Sequence, residues 1–303
     1  MGLTRVRRFG LRVVILAAAL RLLTCAIERE TGPEVRFSTS SEAIFHVRES
    51  PAPELPGLVF TEEEAAQIQY FCSLRPEAEA LLTEPLDWQL RQESPTVLIL
   101  HTHTTESYAG GGYPETSPYR TLSEGHNMLS IGAEVASLLE AAGIPTVQIR
   151  QVHDYPAYAG SYGKSRQSVK DALEAYPSIQ LVLDLHRDAG SGSNQPRPVV
   201  QGDGETLAQL MLVMGSDASG QDHPRWQENL SIALKLHAQL ERQVPGIMRP
   251  LQLRSQRFNQ DLSPGALLVE VGAAGNTPEE ALAAARQLAK AIIALADGVM
   301  DNS

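Results

Sequence analysis

Val97-Leu98-Ile99-Leu100-His101-Thr102-His103-Thr104-Thr105-Glu106-Ser107-Tyr108 is the stretch on which the reading of this chain turns. Four consecutive apolar residues read as a buried strand. The chain then delivers two histidines and a glutamate at the strand's carboxyl end, where open α/β sheets place ligands and chemistry. Two later runs have the same design. Leu181-Val182-Leu183-Asp184-Leu185-His186-Arg187-Asp188 carries an apolar strand into a histidine, and Ala266-Leu267-Leu268-Val269-Glu270-Val271-Gly272 ends a strand with a lone carboxylate. His103 and Glu106 form an H-x-x-E pair, a spacing that lets one imidazole and one carboxylate converge on a single ion. Zinc accepts such ligands, and a catalytic zinc takes three protein ligands with an open fourth position for water. A single histidine after a strand is more often a hydrogen-bonded structural residue. Glu270 inside an apolar run is harder to read that way, because acidic residues are almost never buried without a partner. Three such strand ends together predict a metal-dependent hydrolase.

The whole chain narrows the classes. Its 303 residues are enough for one large α/β domain or two smaller ones, and 43% hydrophobic content suits a globular core. A formal charge of −11 argues against a nucleic-acid partner, since phosphate binding needs clustered Lys and Arg. Cys25 and Cys72 are far apart and form neither a CxxC pattern nor a disulfide framework, so the metal would be held by nitrogen and oxygen alone.

Residues 1–27 read as a signal anchor or a signal peptide. Arg5, Arg7, Arg8 and Arg12 precede the apolar run Val13 to Leu20, and Leu22 to Ile27 continues it after Arg21. The run is short for a spanning helix, which needs ~20 residues, and Arg21 interrupts it. No A-x-A cleavage site stands out, and Thr24 is a poor residue before Cys25 in a lipoprotein box, so a retained anchor with its positive flank in the cytoplasm is preferred. Either reading puts the rest of the chain outside the cytoplasm, tethered to the membrane or secreted.

Residues 28–95 read as a linker with short helices. Glu30 to Pro56 is rich in Ser, Pro, Glu and Arg, while Ala65, Ala66, Ile68, Phe71 and Leu74 have helical spacing and predict one or two short helices in 62–82. From residue 96 to 300 strand and helix signals alternate. Helices are expected over Met128 to Leu139, Ser165 to Ala175, Asn229 to Gln243 and Pro278 to Asp297. Strands are expected at 146–150 and, as a pair, at 199–202 and 210–215. The expected class is α/β, a largely parallel or mixed sheet with helices on both faces.

At the strand-end motifs the chain resembles the stage II sporulation protein P family of cell-wall hydrolases. The matching pieces are His101 to Tyr108, Asp184 to Asp188, Asn259-Gln260-Asp261-Leu262-Ser263, and Leu268 to Gly272 with Asn276-Thr277-Pro278-Glu279-Glu280. They run in order through residues 96–297. The last block is also similar to zinc-dependent N-acetylmuramoyl-L-alanine amidases. The resemblance implies a phosphorylase/hydrolase-like amidase fold, one zinc ion, and cleavage of the peptidoglycan amide between muramic acid and the stem peptide. It implies peptide cross-links as further substrates, septal wall remodelling during engulfment as the setting, and a lytic transglycosylase and a membrane scaffold as partners. Two departures stand out. Phe258 occupies a place where the family often has Tyr, and His126-Asn127 lies where related amidases carry a ligand glutamate, so the carboxylate ligand is assigned to Glu106 on its H-x-x-E spacing.

The expected site therefore has His103, Glu106 and His186 on zinc and Glu270 off it, as general base toward the water. Asp184 and Asp188 are candidates for fixing imidazole tautomers, and Arg187 for steadying an anionic intermediate or a peptide carboxylate. Tyr108, Tyr113 and Tyr119, around the 109–123 loop, are candidates for glycan contact. His101 competes with His103 as the ligand; His103 is preferred because it completes H-x-x-E. Two rival functions stay open, a zinc carboxypeptidase-like peptidase and a non-catalytic wall-binding scaffold. The absence of an obvious arginine cluster in the sequence counts against the peptidase.

Overall fold

The three apolar runs become neighbouring strands. In the computed structural model, which describes residues 59–190, 195–202 and 204–300, β2 (Val97–Leu100), β4 (Leu181–Asp188) and β9 (Ala266–Ala273) lie side by side and parallel, so their carboxyl ends meet at one edge of the sheet. β3 (Thr146–Gln148) extends this block beyond β2. On the other side β7 (Leu210–Met214) pairs antiparallel with β9, and β8 (Leu251–Arg254) and β1 (Ile68–Phe71) follow β7 in parallel. The seven-stranded order is β1-β8-β7-β9-β4-β2-β3, two parallel blocks of opposite direction joined at β7–β9. The central strands are buried on both faces, which is why they read as continuous apolar runs.

The pleat sorts each strand's side chains between two layers. Val97, Ile99, Leu181, Leu183, Leu185, Val269 and Val271 join the main core, with residues of α2 (Met128–Ala141), α4 (Trp226–Gln243), α5 (Pro278–Met300) and the short α1 (Ala78–Thr83). In α5, Leu288, Ile292 and Leu295 are wholly buried, each worth about 1.5–3 kcal/mol relative to exposure. The opposite face carries Leu98, Leu100, Val182 and Ala266, packed against Val169, Ala172 and Leu173 of α3 (Ser161–Ala175). Beyond α3, Met211, Val213 and Leu268 form a separate small apolar patch with Phe258. Asp184, His186 and Glu270 share that face by parity.

Several sequence expectations change. The 62–82 stretch holds a 3-10 turn (Glu62–Glu64), then β1, then α1. Five residues at helical spacing cannot be told from a short edge strand by periodicity alone, and the edge is where β1 sits. The chain from residue 59 to 95 is thus part of the fold; Leu82, Trp88 and Leu90 are buried in the main core. The expected pairing of 199–202 with 210–215 is also replaced. β5 (Val199–Gly202) pairs with β6 (Glu205–Ala208) as a separate antiparallel ribbon, turning at Gly204 with φ +78°, and the wholly apolar β7 enters the main sheet instead. Helix α3 begins at Ser161, earlier than expected, after Gly160 in the left-handed region. The anchor and the Glu30–Pro56 linker lie outside the described residues. Among the described residues no helix is long and apolar enough to cross a membrane.

Candidate active site

His186 and Glu270 are register partners on adjacent strands. The loop after β2 brings Glu106 to them, with Glu106 Oε2 3.6 Å from His186 Nδ1. Together with His103 they line a cavity of about 310 Å³, whose wall includes Tyr158 and Tyr162 and whose apolar floor includes Met211, Val213 and Leu268. His103, Glu106, His186 and Glu270 thus line one cavity.

Each side chain is held by identifiable partners. His186 Nε2 lies 3.0 Å from Asp184 Oδ1, although not in hydrogen-bond alignment. Asp184 is fixed in turn by the backbone N–H of Thr102 at 2.8 Å and the Thr102 hydroxyl at 2.6 Å. Glu106 accepts hydrogen bonds from the Arg187 backbone N–H at 3.2 Å and from Arg120 Nη2 at 3.3 Å. Arg187 is buried and spent on structure: its Nε donates to Ser107 O at 3.1 Å and its Nη2 to Tyr119 O at 2.9 Å. That corrects its expected role toward an intermediate; it braces Glu106. Asp188 likewise pairs with Arg249 at 2.8 Å and does not serve an imidazole.

The electrostatics separate the two carboxylates. Burial works against the charge on Glu106, but Arg187 and His186 outweigh it and hold its carboxyl down at about 2. Burial, reinforced by the nearby Glu106, pushes Glu270 up to about 8 against the pull of His186. Glu270 Oε2 is shielded from solvent and has no hydrogen-bond partner. Burial lowers His103 to about 4, so its ring is neutral at pH 7. His186 goes the other way: burial opposes its charge, but Asp184 and Glu106 hold it well above the usual histidine value.

The two histidines after β2 part company. His101 points into the fold, its Nδ1 3.1 Å from Leu185 O and its Nε2 3.0 Å from Gln148 Nε2. Helix α2 approaches so closely that a Cβ on Gly132 would stand 2.5 Å from His101 Nε2. His103 faces the cavity. Its Nε2 is 2.9 Å from Tyr158 OH, its Nδ1 3.4 Å from Ser161 Oγ, and its ring stacks on Tyr158 at 4.4 Å. The donor chemistry fits zinc: two imidazoles and a carboxylate, with an orphaned carboxylate oxygen beside them. The arrangement is open, however. Among the described residues no three His, Cys, Asp or Glu side chains are gathered closely enough to hold an ion, and both ring nitrogens of His103 are engaged with hydroxyls.

Sequence reasoning missed Tyr158, Tyr162 and Arg120, which lie in loops and at a helix start where no periodicity marks them. Of the expected glycan-facing tyrosines, Tyr108 is instead buried and donates to Val271 O at 2.8 Å, and the half-buried Tyr113 turns its hydroxyl inward to Tyr108 O. Asn127 caps α2 by accepting from Leu129 N at 3.0 Å, which explains a residue other than glutamate there. The Asn276–Glu280 block is a capping box for α5. Glu280 accepts from Thr277 N at 3.1 Å, Thr277 Oγ1 accepts from Glu280 N at 3.3 Å, and Asn276 donates to Glu280 at 2.8 Å. Phe258 and Asn259 both adopt positive φ, 48° and 61°; Asn259 Nδ2 donates to Tyr162 O at 2.9 Å and Gln260 ties the loop to Gly215 N at 2.7 Å.

Residues 36–293 match the family model for stage II sporulation protein P. The chain is 29% identical over 252 residues to stage II sporulation protein P of Bacillus subtilis (strain 168), a match covering 80% of this chain and 60% of that protein. It thus spans about three-fifths of the relative's length. Similar solved structures include the N-acetylmuramyl-L-alanine amidase Ami1 of Mycobacterium abscessus (14% identity, TM-score 0.43, 67% of this chain and 99% of that one). Another is the catalytic domain of the CD27L endolysin targeting Clostridia difficile (14% identity, TM-score 0.42, 68% and 97%). With residues 36–293, well over half of its length, inside the family model, this chain belongs to the stage II sporulation protein P family.

Proposed function

We propose that this chain is a zinc-dependent peptidoglycan hydrolase that cleaves the N-acetylmuramoyl-L-alanine amide, with peptide cross-links as secondary substrates, during wall remodelling in sporulation. The observation that carries the reading is the pairing, in one cavity, of a charged carboxylate beside His186 with a second carboxylate, Glu270, whose Oε2 has no partner. His103, Glu106 and His186 would hold zinc, which when bound supplies a Lewis acid and a water made acidic enough to ionise near neutrality. Glu270 would accept a proton from the attacking water as its oxygen bonds to the amide carbon, and would pass that proton to the nitrogen as the C–N bond breaks. A cation nearby favours its charged form, bringing its raised pKa back toward working pH. Asp184 fixes the His186 ring, and Arg120 and Arg187 fix Glu106. Membrane attachment through residues 1–27, an extracytoplasmic location, and a lytic transglycosylase and membrane scaffold as partners belong to the same proposal and rest on the basic-apolar amino terminus and on family membership.

Metal analysis of the purified full chain tests the reading. One zinc per chain is expected, lost in His103→Ala and in His186→Ala. Stoichiometric zinc in both variants would refute the ligand set.

A further inference from the structure

The cavity does not stop at the catalytic groups. It runs across the sheet face over β9 and β7 to β8, where Gln252 and Arg254 form its far wall. Three guanidiniums line it, and two are spoken for. Arg120 pairs with Asp154 at 2.6 Å and Arg187 stands 3.6 Å from Glu106. Arg254 has no carboxylate within ion-pair distance among the described residues. Its Nε and Nη2 both donate to Gln252 Oε1, at 2.9 and 2.6 Å, and its guanidinium lies 4.6 Å over the Phe71 ring. One neutral acceptor and one aromatic face hold the fork in place without neutralising it. Guanidinium is the group that reads carboxylates in a fixed geometry, and a fork already immobilised loses little freedom on binding one.

We infer that Arg254 is a specificity-determining residue that receives a carboxylate of the substrate's peptide arm. This deepens the amidase reading and rests on it. Strand pairing sets the reach. Gln252 is level with Val213, Val213 with Leu268, and Met211 with Glu270. Arg254 therefore sits two strands across and four residues along from Glu270, about 16 Å between Cα atoms at ordinary strand spacings. Extended chain covers about 3.3–3.6 Å per residue, so an arm of four or five residues leading from the scissile amide spans the cavity, less where side chains meet it. Such an arm offers two anionic sources, an internal glutamyl α-carboxylate and the C-terminal carboxylate.

Binding measured on the full chain carrying Glu270→Gln, which on the proposed mechanism turns over about 10²–10⁴-fold more slowly, separates recognition from chemistry. The probes are synthetic N-acetylmuramoyl-L-alanyl-γ-D-glutamyl peptides with the glutamyl α-carboxyl, the C-terminal carboxyl, or both amidated. Losing the recognised carboxylate should weaken binding about 10–100-fold, the range for a hydrogen bond to a charged group. Adding Arg254→Gln should erase that difference, and Arg254→Lys should restore part of it through charge alone. Whichever single amidation is felt identifies the source. Equal binding of all probes, or a carboxylate preference that survives Arg254→Gln, overturns the inference and leaves the amidase reading standing. Discrimination that Arg254→Gln removes, in a chain whose wild type cleaves none of the probes, upholds Arg254 and overturns the amidase reading.

Discussion

Replacing Glu270 by Gln should make the protein more stable and less active at once. In the metal-free chain burial raises the Glu270 carboxyl from 4.5 to about 8. Because the folded pKa lies above the unfolded one, stability is full below about pH 4.5 and is lost as pH rises toward 8. Each pH unit in that window costs about 1.4 kcal/mol, so the penalty at pH 7 is about 3 kcal/mol. That is an upper bound, since Glu270 keeps some solvent contact while only Oε2 is fully shielded. Glutamine has the same shape and cannot ionise, so it escapes the penalty. Thermal unfolding of chelated wild type and Glu270→Gln should differ little at pH 5. At pH 7 the variant should melt higher by up to about 10 °C, at about 2–4 °C per kcal/mol for a domain of this size. With zinc present its wall-cleaving rate should fall about 10²–10⁴-fold, the usual worth of general acid–base assistance. A stability difference that is absent, or that does not grow with pH between 5 and 7, refutes the electrostatic account of Glu270.

Asp184→Asn removes the charge that holds the His186 ring while keeping its shape, and zinc affinity measured by competition with a chromophoric chelator should fall about 10–100-fold; unchanged affinity would show that Asp184 serves only Thr102. Gly132→Ala places a methyl against His101 and Gln148, and chemical denaturation should register a loss of about 1–3 kcal/mol from overpacking; a neutral effect would mean that α2 and His101 are not tightly packed.

The site was legible where chemistry interrupts a strong pattern. His186 and Glu270 break apolar strands buried on both faces, and His103 and Glu106 follow another, so burial itself made them conspicuous. The sheet's second block was less legible. Ile68–Phe71 and Leu251–Arg254 are four-residue strands, one at the edge and the other next to it, too short to display a period. Their pairing joins residues about 180 positions apart, which no local signal records. For the same reason the cavity's arginines were invisible as a group: Arg120, Arg187 and Arg254 come from three distant segments, and only the fold brings them to one cavity. The tyrosines were misjudged through position. Tyr108 and Tyr113 belong to a loop that turns inward, whereas Tyr158 and Tyr162 reach the cavity from the start of α3, where their spacing gives no hint of what they face.

The most direct test of the central claim is the product of the reaction. The zinc-loaded full chain, incubated with purified muropeptides and read by mass spectrometry, should release intact stem peptide with a free amino-terminal L-alanine and leave peptide-free glycan; chelation should stop the reaction and added zinc restore it. Cleavage confined to bonds within the peptides, or amide cleavage indifferent to chelator, would contradict it.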